Sequence, residues 1–257
     1  MNKRTLLSAA IGAFGLVAGF AHAAEPAKQD TPSVVIVHGA FADGSDWAKV
    51  IPFLQAKGIK VTAVQNSLDS LASDVATTKR VIASQTGRVV LVGHSWGGTV
   101  ITEAGTDDKV KALVYVAAFA PSAGEAVADL GQQYPKPEGL NHLVPDQGGY
   151  LSLTAEGMSK YFAQDLSKEQ TAVMTATQGP IQAKAFGEKV TNTAWSTKPS
   201  WYIVAEKDLM IRPELERDFA KKIGAKTTSL PTSHVPQQSR PADVAKVILD
   251  AVQTVAK

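Results

Sequence analysis

Cysteine is missing altogether from this 257-residue chain, which excludes disulfides, thiolate metal sites and a cysteine nucleophile. An excess of one charge is missing too. Lys and Arg number 26 against 24 Asp and Glu, and two of the basic residues, Lys3 and Arg4, fall in a segment expected to be removed, so the mature chain is near neutral. Without a run of Lys or Arg it lacks the electrostatic footprint needed to grip a phosphate backbone, and nucleic acid is not expected as a partner. No apolar run beyond the N-terminal segment is long enough to span a bilayer, so no membrane partner is expected for the mature form. What remains is an ordinary globular composition, 44% hydrophobic.

The N-terminal segment itself has a clear pattern. Lys3 and Arg4 precede an uncharged stretch that ends in Ala21-His22-Ala23, with small residues at both positions that a signal peptidase inspects. Residues 1–23 are therefore expected to be a cleavable signal, cut after Ala23, which makes the product periplasmic or secreted. Residues 24–32 carry two prolines and no apolar period, and read as a flexible leader.

From residue 33 short β-branched runs alternate with amphipathic stretches of helical length. Strands are predicted at 33–38, 59–64, 88–93 and 110–117, and helices at 46–57, 68–85 and 95–105. Strand–helix alternation with uninterrupted apolar strands predicts a parallel sheet buried on both faces. The rhythm breaks over 121–195, where the clearest piece is a helical stretch at 166–176. It resumes with strands at 200–205 and 226–230 and helices at 213–223 and 241–255. An insertion of about 75 residues is too long for a plain crossover. It is expected to form a cap over the sheet's C-terminal edge, leaving a core of 33–120 and 196–257.

Gly93-His94-Ser95-Trp96-Gly97 fits G-x-S-x-G at the junction of a predicted strand and helix. A serine on so tight a turn is held in a strained backbone conformation, and the flanking glycines remove Cβ atoms that would collide with it. A hydroxyl attacks only if a base takes its proton and an acid orients the base. Of the five histidines, His22 leaves with the signal, His38 ends the first strand, His94 adjoins Ser95 and His142 lies in the cap. His234 occupies the loop between the last strand and last helix, at the right edge of the sheet, and is the predicted base. Asp208, just past the 200–205 strand, is the predicted acid, with Glu206 as the alternative. Backbone N–H groups of Ala40 and Trp96 are placed to converge on a developing oxyanion, because the first and third strands flank the point where strand order reverses. Gly39 lets that loop approach closely. Apolar candidates to line a substrate pocket are Phe41, Trp96 and Phe119 from the core and Met158, Phe162, Met174 and Trp195 from the insertion.

With these elements in place the chain resembles the α/β-hydrolase superfamily across residues 33–257. VVIVHGAF, GHSWGG, WYIVAEKD and SHVPQQSRP stand in the order nucleophile, acid, histidine. The start HGAFADGSDW, with Trp47 soon after the loop, is similar to the plant methylesterase and hydroxynitrile lyase group and its bacterial relatives. That resemblance implies an α/β-hydrolase fold, Ser95, Asp208 and His234 as a triad, Ala40 and Trp96 as oxyanion donors, and neither metal nor cofactor. It also implies that a lyase would carry a lysine after the catalytic histidine and a threonine in the oxyanion loop, where this chain has Val235 and Gly39. Dehalogenases and epoxide hydrolases of the fold place Asp at position 95, which excludes them. The expected function is hydrolysis of a small, apolar carboxylic ester through an acyl-enzyme. The alternatives are a ligand-binding protein on a hydrolase scaffold and a cyanohydrin lyase of the same fold.

Overall fold

The computed structural model describes residues 31–256, so the expected signal and most of the leader lie outside the described residues. Six strands form one fully parallel sheet: β1 (Ser33–Val37), β2 (Val61–Ala63), β3 (Val89–Ser95), β4 (Val110–Ala118), β8 (Ser200–Ala205) and β9 (Lys226–Leu230), in the order β2-β1-β3-β4-β8-β9. The chain steps outward from β1 to β2 and then returns to pair β3 on the other side of β1. A crevice therefore opens beyond the carboxyl ends of β1 and β3.

Successive residues of each strand point to opposite faces, and they divide into two apolar clusters. Val34, Ile36, Val90, Val92, Val114 and Ile203 pack beneath α1 (Ile51–Gln55) and the C-terminal helix α8 (Pro241–Val255). Val35, Val37, Leu91, Leu113, Tyr115 and Val204 pack beneath α2 (Leu71–Ala83), α3 (Trp96–Ala104) and α6 (Pro213–Lys222). The strands β8 and β9 and the helix α8 have the boundaries expected from sequence. The stretch 46–57 does not form one helix. A 3-10 turn at Gly44–Trp47 precedes α1, in which Pro52 occupies the first turn. Proline lacks an N–H and its ring crowds the carbonyl four residues back, so it is tolerated there and would break a helix begun at 46.

The insertion between β4 and β8 carries a small antiparallel sheet of β5 (Leu143–Pro145), β6 (Tyr150–Leu153) and β7 (Ile181–Gln182). It also carries α4 (Ala155–Gly157), which widens into a π-helical turn at Met158–Phe162, and α5 (Lys168–Thr177), which covers most of the expected helical stretch. Its two ends are tied together. Gly124 N–H donates to the Val190 carbonyl (2.9 Å), Val190 N–H to the Glu125 carbonyl (3.0 Å), and the Trp195 indole to the Pro121 carbonyl (3.0 Å). A short helix, α7 (Pro236–Ser239), follows the His234 loop. Among the described residues no helix is long and apolar enough to cross a membrane.

Candidate active site

Ser95 closes β3 and immediately precedes α3, with φ 51° and ψ −119°. A non-glycine residue at positive φ costs on the order of 1–3 kcal/mol unless its surroundings hold it there. Here the surroundings are backbone. A Cβ at Gly93 would stand 2.5 Å from the Gly97 carbonyl oxygen, and one at Gly97 would stand 2.5 Å from the Val37 carbonyl oxygen. Neither position accepts a side chain, so the elbow can close tightly against the end of β1.

The loop after β1 is set by His38. Asn66 N–H donates to its Nε2 (3.0 Å), which leaves the ring proton on Nδ1 to donate to the Gly39 carbonyl (2.8 Å). That bond fixes the direction of the Gly39 peptide oxygen. Ala40 N–H has no acceptor among the described residues, and Trp96, as the first residue of α3, has no carbonyl within its own helix to donate to. The Trp96 side chain points the other way. Its indole donates to Asp74 Oδ2 (2.9 Å) and meets the Phe186 ring edge-on at 5.5 Å. Asp74 Oδ1 also accepts Leu68 N–H (3.0 Å), and burial holds this carboxyl above the ordinary aspartate range.

On the opposite flank, His234 Nδ1 donates to Asp208 Oδ2 at 2.5 Å, and both side chains are almost wholly buried. Asp208 Oδ1 accepts Met210 N–H (2.6 Å) and Ile211 N–H (2.9 Å), which fixes the carboxylate in the turn after β8. Glu206 does not join this group. It lies toward solvent and pairs with Arg217.

Two further residues support this flank. His94 is fully buried, and burial keeps its pKa well below the ordinary histidine value, with His234 adding to the effect. It is therefore neutral, and its Nε2–H donates to the His234 carbonyl at 2.7 Å. Glu216, on α6, is also fully buried and accepts Ala205 N–H at 2.9 Å. Burial pushes its carboxyl well above the ordinary range and the nearby Asp208 carboxylate pushes it further, so Glu216 keeps a proton that an exposed glutamate would lose.

Ser95, His234 and Ala40 face one cavity of about 320 Å³. Of the pocket candidates, Phe41, Phe119 and Phe162 line it, together with aliphatic side chains of the insertion and α6. Arg212 contributes the one guanidinium, which donates to the Pro135 carbonyl (2.9 Å). Trp195 does not line this cavity. It stands where the insertion rejoins the core, its indole committed to the Pro121 carbonyl and Lys222 above its ring. Met158 is packed in the core and Met174 lines a separate surface groove, while His142 stacks on Tyr161 at 4.4 Å.

Sequence reasoning did not single out the roles of Asp74, His94, Glu216, Gln164 or Asp165. Glu216 left a trace, since it shares the helix face of Phe219 and Ala220, where a glutamate is out of place.

A doubly wound parallel sheet, a strained serine at a strand–helix elbow and a histidine–aspartate pair on one apolar cavity define the α/β-hydrolase architecture. The chain belongs to the Alpha/beta hydrolase family, which it matches over residues 34–247. It is 25% identical over 253 residues to the pyrethroid hydrolase of Sphingobium wenxiniae, covering 84% of this chain and 86% of that one. It is 26% identical over 224 residues to methylesterase 2 of Arabidopsis thaliana, covering 71% and 81%. The crystal structure of a pyrethroid hydrolase from Sphingobium faniae superposes with a TM-score of 0.74 at 23% identity, covering 88% of this chain and 98% of that one, a likeness of fold.

Proposed function

We propose that this protein is an exported serine esterase acting on small carboxylic esters with an apolar acyl or alcohol part. Ser95 Oγ attacks the ester carbonyl while His234 Nε2 takes its proton. The tetrahedral oxyanion accepts the N–H groups of Ala40 and Trp96, at the positive end of α3. His234 then protonates the departing alkoxide, and an acyl-Ser95 ester forms. Water attacks that ester with His234 as base, which releases the acid and restores the hydroxyl. Asp208 orients the imidazole and balances the imidazolium charge.

The observation that carries this reading is the His234–Asp208 hydrogen bond opening onto the same apolar cavity as Ser95. Family membership and relatives named as esterases and hydrolases support it. The cyanohydrin-lyase reading finds no support at Gly39, where a Cβ would stand 2.8 Å from Ser95 Cβ and 2.9 Å from His94 Nδ1. A threonine has no room there without displacing the nucleophile. Val235, after the histidine, is buried and uncharged, so no lysine stands beside His234 to meet a leaving cyanide. Export rests on the charged start and the Ala21-His22-Ala23 pattern.

The test is a pair of measurements on protein exported by its own N-terminus, whose mass should place the first residue at Ala24. p-Nitrophenyl butyrate should be hydrolysed, a fluorophosphonate should label Ser95, and Ser95→Ala should abolish both, with kcat falling by about 10⁴-fold or more. A wild type that binds esters without turnover would make it a binding protein. Cyanide release from mandelonitrile faster than ester turnover would make it a lyase.

A further inference from the structure

Outside the residues that touch the reacting atoms, one short segment of the insertion makes contacts that the mechanism above does not use. Phe162, at the end of the π-helical turn, sets its ring against His234 at a centroid distance of 5.0 Å and an interplanar angle of 71°, and against His94 at 6.4 Å and 87°. Two residues on, Gln164 Nε2 donates to the Lys207 carbonyl at 2.7 Å. Asp165 accepts two bonds from Ser233, the backbone N–H at 2.9 Å and the hydroxyl at 2.6 Å. Lys207 is the residue before Asp208 and Ser233 is the residue before His234. Adjacent insertion residues thus grip the backbone immediately ahead of the acid and immediately ahead of the base.

The local chemistry explains why these bonds constrain the loops. Ser233 is fully buried, and its N–H and hydroxyl would be costly to leave unpaired. The Asp165 carboxylate takes both, in the geometry that a charged acceptor makes strong. Lys207 N–H donates to the Thr232 carbonyl (3.0 Å), so the acid loop and the base loop are already laced to each other. Gln164 and Asp165 close that lacing from the insertion side. A π-helical turn, uncommon outside functional sites, brings the segment down onto the loops.

We infer that Gln164 and Asp165 are positioning residues that clip the insertion onto the Asp208 and His234 loops, so that the Asp208–His234 pair is held in register only while the insertion is seated. This rests on the triad reading of Ser95, Asp208 and His234. The clip acts on the chemical step and not on the apolar cavity that receives the substrate, since neither residue lines that cavity. Its loss belongs in kcat and leaves KM nearly unchanged.

The experiment compares wild type, Asp165→Ala, Asp165→Asn, Ser233→Ala and the Asp165→Ala/Ser233→Ala double variant in the full chain. Hydrolysis of p-nitrophenyl butyrate and the rate of fluorophosphonate labelling at Ser95 are the readouts. Asp165→Ala should lose about tenfold to a hundredfold in kcat, as expected for a small misplacement of catalytic groups, with KM within about twofold. Labelling should slow in parallel. Asp165→Asn, which keeps an acceptor for Ser233, should recover most of the rate. Ser233→Ala removes the hydroxyl bond and keeps the backbone one, so it should lose less than Asp165→Ala, and the double variant should be no worse than Asp165→Ala alone, because its two changes act on one contact. The clip is overturned if folded Asp165→Ala keeps wild-type kcat, if its loss lies in KM alone, or if the two single losses multiply. Should Asp165→Ala fail to fold, Ser233→Ala decides, and wild-type kcat in folded Ser233→Ala overturns the clip. Labelling at Ser95 does not depend on the natural substrate. A wild type that labels but does not hydrolyse the ester would sink the esterase reading while leaving the labelling ratios to judge the clip.

Discussion

The flank of the cavity that carries Ser95 is built from backbone, whereas the flank that carries His234 is built from side-chain hydrogen bonds. On the first, close approaches at Gly39, Gly93 and Gly97 force the elbow and the oxyanion loop together, and the decisive property is the absence of side-chain atoms. On the second, Asp208, His94, Asp165 and Glu216 each contribute a polar group from a different part of the chain. A steric constraint is all-or-none, because a backbone oxygen at 2.5 Å cannot yield by much. A hydrogen-bonded constraint is graded, and losing one member should weaken the array without destroying it.

The largest expected effect is therefore on the Ser95 flank. Gly39→Val should reduce kcat/KM for p-nitrophenyl butyrate by about a hundredfold or more, since its Cβ must push Ser95 or the Ala40 peptide out of place. Activity within threefold of wild type would show that this flank yields as well as the other. A smaller effect is expected from His94→Phe, which keeps the ring volume but removes the donor to the His234 carbonyl. kcat should fall about tenfold, and denaturant unfolding should report a loss of about 1–3 kcal/mol for the carbonyl left unpaired. Wild-type kcat in that variant would remove His94 from the supporting network.

The smallest effect should come from Glu216→Gln, and it should depend on pH. Folded Glu216 holds its proton because burial and Asp208 raise its pKa above the ordinary 4.5, while the unfolded chain ionises near that ordinary value. The folded state then binds more protons than the unfolded one, so this residue's contribution is fully present below about 4.5 and is lost as pH rises toward the folded pKa. Glutamine has no proton to lose, so Glu216→Gln should gain stability relative to wild type as the pH of denaturant unfolding is raised from 4 to 8. A difference that does not change with pH would mean that Glu216 is ionised in the folded protein.

The same contrast explains which features were legible in the sequence. Glycine is a visible letter, so the elbow at 93–97 and the loop at 39–40 could be read from the order of residues. The parallel sheet was legible because strands buried on both faces are apolar without interruption, as VVIV and RVVLVG are. Asp208 and His234 could be placed because each follows a strand at the same edge. Gln164, Asp165 and His94 were not legible in their roles, because a hydrogen bond between residues 43, 68 or 140 positions apart leaves no local periodicity. Trp195 is an expected pocket residue that lies elsewhere, because large aromatics favour seams as well as cavities. Its position beside the insertion's exit was the better guide. Over 46–57 the helical period runs through Pro52, and the proline moves the helix start to Ile51.

The tie between the insertion's two ends has a consequence for how such a molecule can change over generations. Because Pro121 and Trp195 meet at one neck, the exposed parts of the intervening chain can vary in length with little strain on the strands it joins, since closing a longer loop at a fixed neck adds only a slowly growing entropic cost. The segment is in that sense an exchangeable cassette, and a lineage could acquire a new substrate range by replacing it whole. Any replacement must still deliver an acceptor to Ser233 and a donor to the Lys207 carbonyl. Diversification of the insertion would then be confined at 164 and 165 and at the residues it buries in the core, Leu153, Met158, Phe162 and Ile181 among them, and freest on its exposed faces.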